Sequence, residues 1–122
     1  MRTYNFENII TSNSVLSANK TSKAMQLWNM IGYSIQIVVT GTPTGTFSLL
    51  GSCDPVQSVG ADYEPTNFSV ITNSSYAISA AGNYLWNVID PMYNWVELYY
   101  QDTSGGTSTA ILTVSTFNAK GF

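Results

Sequence analysis

Seven carboxylates, one thiol and no imidazole are what this 122-residue chain offers for chemistry. Without histidine it lacks the side chain most used as a general base and as a metal ligand near neutral pH. One cysteine, Cys53, is too few for a zinc site of cysteines and histidines, and it cannot close an internal disulfide. It is expected as a reduced, half-buried thiol that packs like a small hydrophobe. Asp54, Asp62 and Glu64 stand close enough to offer oxygens to Ca²⁺, or to act as a glycosidase pair. No recognisable calcium loop surrounds them, and a solvated loop is the simpler reading. Asp90 and Asp102 fall in turns, where aspartate bonds its own backbone. Glu97 lies mid-strand among Trp95, Val96, Leu98 and Tyr99. That puts it on a solvent face or opposite a cation across a subunit boundary. Neither a GxxxxGK[ST] phosphate loop nor a GxSxG nucleophile elbow occurs. The expectation is a protein without catalysis, cofactor or metal.

Charge narrows the partners. Only 9% of residues are charged, the net charge is -3, and the cations are Arg2, Lys20, Lys23 and Lys120. Four scattered cations cannot neutralise a run of phosphates or coat a basic membrane helix, which argues against nucleic acid and membrane surfaces. Apolar runs are only a few residues long, too short to span a bilayer, and the polar N-terminus does not read as a secretory signal. Synthesis in a cytoplasm is the default expectation, under which the Asn-x-Ser/Thr triplets at Asn19, Asn67 and Asn73 read as chance. An exterior of Ser, Thr, Asn, Gly and Tyr suits close contact with protein or sugar. Three tryptophans, eight tyrosines and five phenylalanines exceed what one small core needs. Tyr63, Tyr93 and Tyr100, in or beside loops, are the expected exposed aromatics.

The elements that must position these groups are strands. Tyr33 to Thr40 alternates Tyr33, Ile35, Ile37 and Val39 against Ser34, Gln36, Val38 and Thr40. Gly41 to Gly45 is a turn, and Thr46 to Cys53 reads as the returning strand of a hairpin. Trp95 to Tyr100, a turn over Asp102 to Gly106, and Ser108 to Phe117 suggest a second hairpin. Both faces of that last strand carry apolar residues, so its inward face is ambiguous. Shorter strands are expected at Phe68 to Thr72, Tyr76 to Ser79, Tyr84 to Val88, Val15 to Ala18 and Met25 to Trp28. Seven or eight short strands at this spacing predict an all-β antiparallel sandwich of jelly-roll or Greek-key type, one domain over 14–122. Residues 1–13, with Tyr4, Phe6, Ile9 and Ile10, read either as an edge strand or as an arm reaching another subunit. Pro55 to Thr66 is a long connection of the kind that often carries function.

Tyr33 to Phe47, continuing to Gly51-Ser52-Cys53-Asp54-Pro55, resembles a pattern of small structural proteins of tailed bacteriophages. So do Gly82 to Val88, Trp95 to Tyr100 with Thr103 to Thr107, and the closing Phe117 to Gly121. The resemblance covers roughly residues 24–122 and consists of strand-and-turn patterns. It implies a virion component on the capsid surface, made in the host cytoplasm. Within that class it implies a head decoration (cement) protein, a homo-oligomer with a trimer favoured, bound to the major capsid protein. One departure is Glu97, where relatives are expected to carry a basic residue, which argues against an inherited charge contact there. The candidate contact residues are Tyr4, Phe6, Ile9, Ile10, Tyr63, Tyr93, Glu97 and Tyr100. Competing readings are a carbohydrate- or receptor-binding module of a fibre or tail, and a tail or baseplate connector.

Overall fold

The computed structural model describes residues 2–55 and 64–121, and Tyr63 lies outside them. Among the described residues the chain forms strands β1 Arg2–Glu7, β2 Ser14–Val15, β3 Lys20–Thr21, β4 Met25–Gln26, β5 Met30–Thr40 and β6 Gly45–Ser52. They are followed by β7 Ser69–Val70, β8 Tyr76–Ile78, β9 Gly82–Ile89, β10 Trp95–Asp102 and β11 Ile111–Gly121. All pairings are antiparallel, in two sheets. The first runs β1-β11-β5-β9, with β2 also on β11. The second runs β3-β10-β6-β7, with β4 also on β10 and β8 on β6.

Count β3–β4 and β7–β8 each as one interrupted strand, with β2 as an offshoot. The chain then changes sheet at every connection except the one from β6 to β7. This is the double Greek key of a jelly roll. It corrects both expected hairpins: β5 bonds to β11 and β9, whereas β6 bonds to β10, β7 and β8. β10 and β11 likewise lie in different sheets. Alternation fixes which side of a strand is buried, but it does not distinguish strands side by side from strands face to face. Here the apolar faces meet across the gap, and the Phe47 ring on β6 lies 6.3 Å from that of Trp86 on β9. Tyr100 fastens the crossing from β5 to β6 by donating its hydroxyl to the Thr44 carbonyl at 3.2 Å.

The core is one cluster, with Ile35, Ile37, Phe47, Leu98, Tyr100, Leu112 and Phe117 fully buried. β11 shows why its pattern was ambiguous. A register shift between Leu112 and Val114 inserts a bulge, so the inward set changes from Ala110 and Leu112 to Ser115, Phe117 and Ala119. Thr113 at the bulge donates its hydroxyl to the Val38 carbonyl at 3.0 Å. Residues 2–7 pair with β11 along their whole length. Ile9 and Ile10 then enter the core, where the buried Ser115 hydroxyl accepts from the Ile10 amide at 2.9 Å.

Candidate contact surfaces

Three surfaces gather the side chains that could meet a partner. The first lies at the end of the sandwich where the β4–β5 and β9–β10 connections meet. Leu27 donates its amide to the Asn94 carbonyl (2.8 Å) and Asp90 to that of Ile31 (2.7 Å). Asn29 and Asp90 take left-handed turns at φ 62° and 56°, which short polar side chains tolerate. At this end Trp28 and Met92 in the loops, with Ile31 and Ile89 at the adjoining ends of β5 and β9, are open to solvent, Ile89 being 70% and Met92 91% exposed. Sequence reading missed all four. The available signal was an apolar residue on each side of the Asp90–Pro91 turn, where a buried strand would normally have ended.

The stem of the long connection is held at the same end. The Asp54 carboxylate accepts the Thr66 and Asn67 amides at 2.8 and 3.0 Å and the Asn67 side chain at 3.0 Å. Those bonds hold its pKa below the usual carboxylate range. The Asp54 carbonyl in turn accepts Asn94 Nδ2 at 3.0 Å and Trp95 Nε1 at 3.2 Å. Asp54 is thus committed as a structural clamp. Asp62 falls outside the described residues. Cys53 is exposed, which corrects its expected half-burial: it sits just past the end of β6.

The second surface is a groove of about 260 Å³ at the β1 edge, where the two sheets part. Tyr4 and Phe6 share the inward face of β1 but overhang the opening and remain 38% and 37% exposed. Their rings are 6.4 Å apart and within 11° of parallel. Phe6 stacks on Phe117 behind it, and the Lys23 ammonium sits 3.9 Å from the Phe6 ring centroid. Met25, Gln26 and Trp95 complete the opposite wall.

The third surface is the outer face of the first sheet, where register places Asn5, Asn118, Ser34 and Asn87 in a row across four strands. Ser34 donates to Asn87 Oδ1 at 2.8 Å, and the row is uncharged.

The expected contact residues therefore separate. Tyr4 and Phe6 flank the groove. Ile9, Ile10 and Tyr100 are core residues and present nothing to a partner, because the chain after β1 turns inward and Tyr100 shares the inward face of β10 with Val96 and Leu98. Tyr93 is half-buried, with its hydroxyl 2.7 Å from that of Tyr33, and burial pushes both phenols up. Glu97 lies on the outer face of the second sheet opposite Leu50. Burial, and then the charge of Glu64, raises its pKa. Among the described residues no three Cys, Asp or Glu side chains converge to hold a metal ion.

No family model and no curated protein matches the sequence. Solved structures do share its fold. The SPBc2 prophage-derived protein YomS superposes with a TM-score of 0.52 at 8% identity, covering 98% of this chain and 96% of that one. Looser likenesses include PirA, with a TM-score of 0.48 at 11% identity over 96% of this chain and 92% of that one. A Tobacco streak virus coat protein dimer gives 0.44 at 8% identity over 98% and 85%. Structural neighbours thus include a prophage-derived protein and a viral coat protein. At such identities the YomS likeness is one of fold, and the two below it carry no functional information.

Proposed function

We propose that this chain is a non-enzymatic virion protein of a tailed bacteriophage, a head decoration protein that attaches to the outside of an assembled capsid as a homo-oligomer. Its partner is the major capsid protein, and its work is to bridge neighbouring capsomers. The observation that carries the reading is the apolar end formed by Trp28, Ile31, Ile89 and Met92 on an exterior with few charges. Exposed apolar residues at one end of a domain mark contact sites. Jelly rolls serve in viral capsids and in lectins, and the prophage origin of YomS favours the former by analogy. Many copies of one modest contact give firm attachment through avidity. Purified protein should co-sediment with capsids that lack it, and Trp28→Ala with Met92→Ser should weaken that binding while the fold persists. Failure of the unmutated protein to bind such capsids would end the proposal.

A second reading, a carbohydrate-binding module, draws on the half-exposed Tyr4 ring at the mouth of the groove, since sugar rings stack on aromatic faces. A sugar-dependent rise in melting temperature, lost in Tyr4→Ala, would favour it.

A further inference from the structure

β1 is bonded to β11 on one side and, among the described residues, to no strand on the other. Its sequence, Arg2 to Glu7, carries charge only at its two ends, contains no proline, and pairs with β11 without a bulge, so the stretch from Thr3 to Phe6 lacks the devices that guard a free edge. The opposite edge of the sheet, β9, is likewise bonded on one side only, to β5.

We propose that β1 pairs antiparallel with β1 of a second copy of this chain, about a two-fold axis through Asn5, joining the two first sheets into one. Residues directly opposite in an antiparallel pair point to the same face. A two-fold axis normal to the sheet preserves faces, so the numbers of opposed residues must sum to an even value. The register with Asn5 opposite Asn5 sets Tyr4 against Phe6 of the second copy, twice over, and Thr3 against Glu7. The four half-exposed rings then cover one another at the mouths of the two grooves. The alternative centred on Tyr4 leaves Phe6 opposite Arg2 and makes only one aromatic pair. The pairing through Asn5 deepens the oligomer in the proposed function and replaces the expected three-fold assembly with a two-fold one.

The test is a self-cross-link. Opposed Cα atoms lie about 4.5–5.5 Å apart, inside the range of about 4.4–6.8 Å that a disulfide spans. Because Cys53 is exposed, the background is Cys53→Ser. Adding Asn5→Cys should give a species of twice the 13.3 kDa chain mass on a non-reducing gel, whereas Thr3→Cys should stay single. The unmutated chain should be dimeric by native mass spectrometry. Asn5→Lys, at an exposed position, should abolish the dimer and keep the β circular-dichroism spectrum. A monomer or a trimer in solution, or cross-linking through Tyr4→Cys instead of Asn5→Cys, would overturn the pairing. A dimer that ignores capsids sinks decoration and leaves the pairing standing, and a monomer that decorates capsids does the reverse.

Discussion

Glu97 and Asp54 show how the same side-chain chemistry is turned to opposite ends by its surroundings. Asp54 and Asp102 accept backbone and side-chain donors, which hold them below their ordinary 3.8. Their contribution is present above that value and is lost as pH falls through the lowered folded pKa. Glu97 is raised above 4.5, first by burial and then by Glu64. The folded state therefore holds its proton more tightly than the unfolded state. Stability from this group is greatest below 4.5 and declines as pH rises through the raised value. Glu97→Gln should accordingly melt higher than the unmutated protein at neutral pH, with the gain vanishing in acid. Melting curves across pH would check this, and identical profiles for the two proteins would contradict it.

At the scale of elements, β1 and the residues after it behave as one unit with the core. Deleting residues 1–13 removes β1 and also Ile9 and Ile10, which are 4% and 5% exposed. At about 1.5–3 kcal/mol for each buried isoleucine, roughly 3–6 kcal/mol of packing is lost. That is comparable to the whole stability of many small domains. The truncated chain should unfold at much lower urea concentration, or fail to fold, in denaturant titrations followed by circular dichroism. A stable sandwich after this deletion would show that the segment is an appendage. Asn5→Lys is the milder probe of the same strand, because it leaves the isoleucines in place.

For the whole molecule, the sparse charge predicts how attachment responds to salt. With four cations and seven anions, and an apolar end proposed as the contact, there is little Coulombic attraction to screen. Co-sedimentation with capsids should be nearly constant from low to molar salt. A steep loss with salt would mean that the few charged side chains carry the contact.

Period-2 alternation, with turn residues at short intervals, determined by itself that this chain is all-β. The strands β5, β6, β9 and β10 fall where alternation and turn residues put them, within three residues at either end. The scarcity of charge and the lack of histidine were equally plain. Partnership was not legible, because side-chain parity says which face is buried but not which strand lies alongside. Both expected hairpins open into crossings between sheets for that reason. The bulge at Thr113 reverses parity midway along β11, so no single alternation could have placed Phe117 inside and Val114 outside. The apolar end escaped for a related reason: Trp28 and Met92 lie far apart in the chain, and it is the pairing of β4 with β10 and of β5 with β9, extended by the backbone bonds between Leu27 and Asn94 and between Ile31 and Asp90, that brings their loops together.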